Sequence, residues 1–166
     1  MNKDKVIEMI ESAFEGVPRP LEITLHVAEA HDNYDYGQDA IHRQKDHQGP
    51  WQEIPDEHIE ECQWALSHVD PVGFRYYLPA FMTWYLRNYT NAAKVMQDHA
   101  LYALDPCVND PELRLHKDQR VSLFSKEQLA SCAVFVRFLA EDSTGMTDET
   151  FADRIYMDFW HQYDES

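Results

Sequence analysis

The sequence predicts an all-α protein, and three observations support this prediction. Apolar residues recur at helical spacing in most of the longer segments. Two helix-start signals, an Asp-Pro pair and a capping box, precede the most apolar of these segments. Glycine is scarce, at 5 of 166 residues, which is typical of chains with few hairpins. We therefore expect a single compact helical domain over residues 1–166, with six or seven helices around one central helix.

The central helix is predicted over residues 71–89. Asp70 is a good N-cap, and the proline that follows it suits the first helical position. Between residues 76 and 86 only one proline and one threonine fall outside the hydrophobic set. A helix that is apolar on every side has to be surrounded by other elements, and this one is too short to span a membrane. Pro79 lacks a backbone donor and predicts a kink or a split in the helix.

Amphipathic helices are predicted before the central helix. Gly16 and a Pro-Arg-Pro run end the first of them. The second carries a narrow apolar stripe to which Tyr34 and Ile41 belong. Gly37 lies on the same stripe, and it either breaks the helix or lets another backbone come close. The third begins at Asp56, and a loop with Trp51 and Ile54 against the core precedes it. The three helices cover residues 2–15, 21–43 and 56–69.

Further helices are predicted after the central one. Residues 91–104 place Ala92, Met96, Ala100 and Leu104 on one side. Ser125 and Gln128 form a capping box that starts the next helix, which ends before Ser143. The last helix begins at Thr147 and has acidic residues in its first turn. Residues 105–124 show no clear period, and short strands are possible there.

The charge is the most distinctive feature of the composition. The chain has 14 Lys and Arg against 30 Asp and Glu, a formal net charge of −16. Such a chain repels the phosphates of nucleic acids and anionic membrane surfaces, so we expect neither as a partner. It favours basic proteins, with fast and salt-sensitive association. The three cysteines form no CxxC pair and no signal peptide is evident, so we expect a cytoplasmic protein.

One set of side chains has the chemistry of metal ligands. If residues 21–43 form one helix, His31, Asp35, Asp39 and His42 project within about 80° of each other. Histidine and carboxylate are common ligands of transition metals. One helix rarely supplies four ligands, however, because a metal needs ligands that converge from several elements. A metal-dependent hydrolase at these four residues is therefore the alternative hypothesis, and a solvated acidic face is the simpler explanation.

No motif in the sequence indicates a catalytic centre. GxSxG, HExxH and glycine-rich phosphate loops are absent. The nine histidines are scattered, and we expect most of them at the surface or its boundary. We therefore predict no catalytic residues and no cofactor, and a role other than catalysis is favoured.

Acidic residues cluster in two regions that lack Lys and Arg, residues 22–39 and 53–70. If the two helix faces lie side by side, they form one negative surface. An aromatic side chain such as Trp64 could anchor a partner there. The candidate contacts are Asp32, Asp35, Asp39, Asp56, Glu57, Glu60, Glu61 and Trp64.

The FRYYLPAF block at residues 74–81, with Trp51 before it and the Ser125-capped helix after it, resembles a family of small uncharacterised bacterial proteins. That family is known only as a domain of unknown function. The resemblance implies a bacterial or phage origin and carries no activity. In composition the chain is also similar to immunity proteins and toxin inhibitors as a class.

These observations favour a non-catalytic protein that binds a basic partner. An immunity protein or inhibitor that neutralises a basic bacterial toxin, such as a nuclease, is the most specific form of this hypothesis. The alternatives are the metal-dependent hydrolase and a soluble helical protein whose charge serves solubility alone. The sequence does not predict an oligomeric state.

Overall fold

The computed structural model describes residues 1–94 and 98–166 and contains no strand within those ranges. The all-α prediction is confirmed, with nine α-helices in the described residues where six or seven were predicted. Three short 3-10 turns, at Trp51–Glu53, Ala65–Ser67 and Trp160–Tyr163, complete the regular structure. No helix in the described part of the chain is long and apolar enough to cross a membrane. The helices are α1 (Lys3–Ala13), α2 (Leu25–Asp32), α3 (Asp39–Arg43), α4 (Asp56–Glu61), α5 (Pro71–Asn88), α6 (His99–Ala103), α7 (Pro111–Arg120), α8 (Lys126–Ala140) and α9 (Glu149–Asp158).

The predicted central helix is α5, and 13 of its 18 residues are buried. It packs against α1, α4, α6 and α7, so apolar side chains on all of its sides find partners. Asp70 caps it as predicted, since its carboxylate accepts the backbone N–H of Gly73 at 2.8 Å. The helix continues through Pro79 without a break, so the predicted split does not occur. Contacts on every side offset the cost of the missing hydrogen bond.

A second long helix, α8, packs against α1 and α9. The predicted capping box is present, because Ser125 and Gln128 exchange side-chain and backbone hydrogen bonds at its start. The Gln128 side chain also joins three elements. Its Nε2 donates to the carbonyl of Ala13 at 3.1 Å, and its Oε1 accepts from Arg75 Nε at 3.0 Å. The N-terminus of α8 is thereby tied to both α1 and α5.

Residues 21–43 do not form the single helix that was predicted. Helix α2 ends at Asp32, and Tyr34 follows in the left-handed region with φ of 61°. The N–H of Asp35 donates to the carbonyl of Ala30 at 2.8 Å and that of Tyr34 to His31 at 3.0 Å, which is the Schellman pattern of a helix end. Tyr34 and Ile41, predicted on the buried stripe, are 84% and 56% exposed.

Three further segments differ from the prediction. The helix predicted over residues 56–69 ends at Glu61 and gives way to the 3-10 turn at Ala65–Ser67. Within the described part of residues 91–104, helix is present at α6 and not at residues 91–94, and Met96 lies outside the described residues. Residues 105–124 contain α7 rather than short strands. Leucines on α7 are solvent-exposed, which explains why this segment shows no apolar period.

Arg120, at the end of α7, is a buried cation inside the core. Its guanidinium lies 4.1 Å from the centre of the Phe74 ring and donates to the carbonyl of Leu66. Burial lowers the pKa of Arg120 to about 10. The side chain connects α7, α5 and the Ala65–Ser67 turn.

Candidate functional site

Four histidine–aspartate pairs lie between residues 26 and 68. They connect helices α2 and α3 with each other, with the residues after α3, and with the residues after α4. The pairing accounts for four of the nine histidines. In each pair a ring nitrogen lies within 3 Å of a carboxylate oxygen. The pairs are His26 Nδ1 with Asp46 Oδ1 (2.7 Å), His31 Nε2 with Asp39 Oδ1 (2.9 Å), His42 Nε2 with Asp35 Oδ2 (2.8 Å) and His68 Nε2 with Asp32 Oδ1 (2.8 Å).

The connection between α2 and α3 presents aromatic and acidic side chains to solvent. Besides Tyr34, the ring of Tyr36 is 63% exposed and lies 5.0 Å from the ring of His31. The hydrogen bond from His42 lowers the pKa of Asp35, so this carboxylate remains charged. We call this surface the aromatic–acidic loop and define it as Tyr34, Asp35, Tyr36, Asp39 and Ile41.

The acidic residues predicted on α4 are partly neutralised by neighbours. Asp56 lies 3.6 Å from Arg87, and Glu60 lies 3.7 Å from Lys94. Glu61 lies 3.6 Å from His26 of α2, and Glu57 is exposed. The predicted anchor Trp64 is 51% exposed, with its ring edge-on to His99. The Glu61–His26 and His68–Asp32 contacts place the α4 region beside α2.

The four residues of the predicted metal site meet in pairs rather than around one point. Because the helix breaks at Tyr34, His31 and Asp39 face each other across the loop, as do Asp35 and His42. In the described part of the chain, no three of these four offer ligand atoms within 4.8 Å of one another. The assumption of one shared helix face was wrong, and the hydrolase hypothesis at these residues stays a prediction.

A different cluster brings metal-ligand types together: His26, Asp46 and His58, which we call the His26 cluster. Each residue offers one ligand atom, and the three atoms lie within 4.8 Å of one another. Asp46 also accepts the backbone N–H of His26, at 3.2 Å. The rings of His26 and His58 are perpendicular, with centres 4.9 Å apart. The buried Nδ1 of His58 has no hydrogen-bond partner among the described residues.

Comparison with known proteins places the chain in a family. A family model described as "Family of unknown function (DUF6714)" matches residues 2–164. The chain belongs to this family. The predicted resemblance to a family of unknown function is therefore confirmed at the family level. No curated protein and no solved structure matches this DUF6714 chain.

The two histidines of the His26 cluster have opposite electrostatic environments in this DUF6714 chain. The hydrogen bond to Asp46 raises the pKa of His26, against the opposing effect of burial. Burial lowers the pKa of His58, and the neighbouring His26 lowers it further. Burial also raises the pKa of Glu29, one turn along α2. The cluster thus combines one histidine that favours the protonated form with one that favours the neutral form.

We expect an NMR titration of the imidazole resonances to separate these two histidines. The pKa of His26 should lie above 6.5 and that of His58 below it, for the reasons just given. Asp46→Asn should lower the pKa of His26, because the carboxylate that stabilises the imidazolium is removed. Asp39→Asn, which changes a pair elsewhere, serves as the control and should leave His26 unchanged. A His26 pKa below that of His58 would contradict the assignment.

Proposed function

We propose that this chain is a non-catalytic, cytoplasmic interaction protein that binds a basic protein partner through the aromatic–acidic loop. Its most specific form is an immunity protein that neutralises a basic bacterial toxin, such as a nuclease. The observation that supports the proposal is the conformation of Tyr34. The charge of the chain and the composition of the loop agree with it.

Tyr34 occupies a position where a helix end favours glycine. The residue after the C-cap in a Schellman motif takes a left-handed conformation, which costs a non-glycine residue about 1 kcal/mol. Tyr34 is 84% exposed, so packing within the chain does not offset that cost. Local rules are broken in this way mainly at functional sites. A tyrosine ring also suits a binding surface, because it offers a large contact area with few rotatable bonds.

The negative charge of the aromatic–acidic loop favours a positively charged partner. Asp35 stands between the two exposed tyrosines in the sequence and Asp39 follows them, and the chain as a whole carries a net charge of −16. A surface of this kind attracts positively charged proteins and accelerates their association. Nuclease clefts have to be positive to hold phosphate, so an acidic surface with aromatic anchors can occupy such a cleft and exclude the nucleic acid.

The proposal is tested by comparing proteins captured by the wild-type chain and by Tyr34→Gly. Glycine keeps the left-handed conformation, so we expect the fold to be retained and the anchor ring to be lost. A basic partner should be enriched by the wild type at low salt, weakened at high salt, and lost with Tyr34→Gly. The purified partner should then bind the chain stoichiometrically, and a nuclease partner should lose activity in the complex.

Two matched controls separate the loop from general surface effects. Leu115→Ala removes an exposed apolar side chain on α7 and should not change capture. The double variant Asp35→Asn/Asp39→Asn should reduce both the affinity for the partner and the salt dependence of binding. The double variant Glu8→Gln/Glu11→Gln removes the same charge from exposed positions of α1 and should change neither. If the wild type captures no protein that Tyr34→Gly fails to capture, the charge serves only solubility and the proposal is wrong.

A further inference from the structure

We propose that the His26 cluster is a binding site for a divalent transition metal, and that zinc is the metal it suits best. Two imidazoles and one carboxylate are the ligand set of many zinc sites. This site is distinct from the aromatic–acidic loop and from the four residues that the sequence predicted as ligands.

A metal needs ligands that converge from several elements, and the ligands of the His26 cluster come from three separate segments. His26 lies in the first turn of α2, Asp46 follows α3, and His58 lies in α4. The side chains of His26 and Asp46 are 10% and 3% exposed, so the surroundings hold both in place. A site assembled from distant segments and fixed by packing has the convergence that a metal needs.

The distances fit a metal after small movements. In a tetrahedral zinc site with ligands about 2.1 Å from the metal, the ligand atoms lie roughly 3.4 Å apart. The three ligand atoms of the cluster lie within 4.8 Å of one another, and His26 Nδ1 and Asp46 Oδ1 are 2.7 Å apart. Zinc would replace the proton shared by these two atoms, and that proton would pass to solvent. The Nδ1 atom of His58 has no competing hydrogen bond among the described residues.

One residue beside the cluster can provide a second layer of contact for a metal-bound His26. If His26 binds the metal through Nδ1, its Nε2–H points to Glu61, whose Oε2 lies 3.6 Å away. A carboxylate in this position fixes the orientation of a metal-bound imidazole. Asp46 keeps lone pairs for both the metal and the backbone N–H of His26. The bound metal would join three segments: α2, the residues that follow α3, and α4. The aromatic–acidic loop connects two of the neighbouring elements, α2 and α3.

The site is tested by zinc titration of the chelator-treated, full-length chain. Calorimetry should show about one equivalent of bound zinc, and the melting temperature should rise with zinc. His58→Asn should weaken zinc binding at least tenfold, with circular dichroism confirming an unchanged fold. His31→Asn and His42→Asn each remove a histidine from an aspartate pair outside the cluster, and both should leave zinc affinity unchanged.

Cobalt substitution provides a readout that does not depend on a variant. Bound Co²⁺ should give the strong visible absorption of a four- or five-coordinate site. It should broaden or shift the NMR resonances of His26 and His58 far more than those of His31 and His42. The proposal is overturned if zinc shows no saturable binding, if His58→Asn binds it as tightly as the wild type, or if affinity is lost with His31→Asn or His42→Asn instead.

Discussion

Phe81→Ala is expected to lower the free energy of unfolding by about 3–5 kcal/mol. Phe81 is 3% exposed in the middle of α5. Its side chain lines a narrow gap with Ile59 of α4 and Ala100 of α6. Alanine would therefore leave a cavity where three helices meet, in addition to the loss of buried apolar surface. Urea denaturation followed by circular dichroism measures the change.

Val72→Ala on the same helix is the control for this substitution. Val72 is solvent-exposed, so its truncation should change the free energy of unfolding by less than about 0.5 kcal/mol. A loss below about 1 kcal/mol for Phe81→Ala would mean that α5 is not the centre of the core.

Asp98→Asn is expected to stabilise the protein at neutral and alkaline pH. Burial raises the pKa of Asp98 from 3.8 to about 7, although the backbone N–H of Leu101 favours the charged form. Its second oxygen is buried, and the neighbouring hydroxyl of Tyr85 only partly offsets the cost of burying the charge. One pKa unit corresponds to about 1.4 kcal/mol, so the ionised carboxyl costs the folded state up to about 4 kcal/mol above the folded pKa. Asparagine keeps the N-cap bond to Leu101 and removes the buried charge.

The gain from Asp98→Asn should depend on pH in one direction. Between pH 3.8 and about 7 the folded state binds more protons at this site than the unfolded state, so the wild-type carboxyl lowers stability as pH rises. The difference between variant and wild type should therefore be largest at about pH 8 and shrink as the pH falls towards 3.8. Asp110→Asn makes the same change at an exposed N-cap and should alter stability by less than about 0.5 kcal/mol at neutral pH. A gain that is absent at about pH 8, or equal at all pH values, would contradict the prediction.

The parts of the fold that could be predicted are those specified by neighbouring residues. The Asp70 cap and the Ser125–Gln128 capping box involve contacts three residues apart, so a sequence pattern contains all of the information. The burial of α5 followed from its all-round apolar character. No pattern of this kind exists for Arg120, whose buried position depends on Phe74 and on a carbonyl 54 residues away.

The position of the break after α2 could not be predicted, because tyrosine is not a helix-stop signal and a possible break was assigned to Gly37 instead. Apolar spacing continued through Tyr34 to Ile41, and the nearest glycine stands three residues beyond the break. The left-handed conformation that ends the helix contradicts local propensity. The left-handed conformation of Tyr34 also identified the aromatic–acidic loop as a candidate site. This mismatch between residue type and conformation is visible only in the structure.

The two groups of candidate metal ligands differ in how much of each could be predicted from the sequence. His31, Asp35, Asp39 and His42 were grouped by an assumed helix face, and they do contact each other in pairs, although through a fold-back of the chain. The His26 cluster had no sequence signal, since His26 and Asp46 are 20 residues apart and belong to different elements. Only tertiary packing brings these ligands together.

The pairing of α1 with α8 has a consequence for biosynthesis. The hydrogen bond between Gln128 and Ala13 spans 115 residues of sequence. At about 5–20 residues per second, a ribosome needs roughly 6–23 s to add the residues that separate the two partners. During that interval α1, in which Val6 and Ile10 are buried in the folded protein, lacks its partner helix α8. The nascent chain therefore presents an apolar segment at its N-terminus that chaperones can bind before the native contacts form.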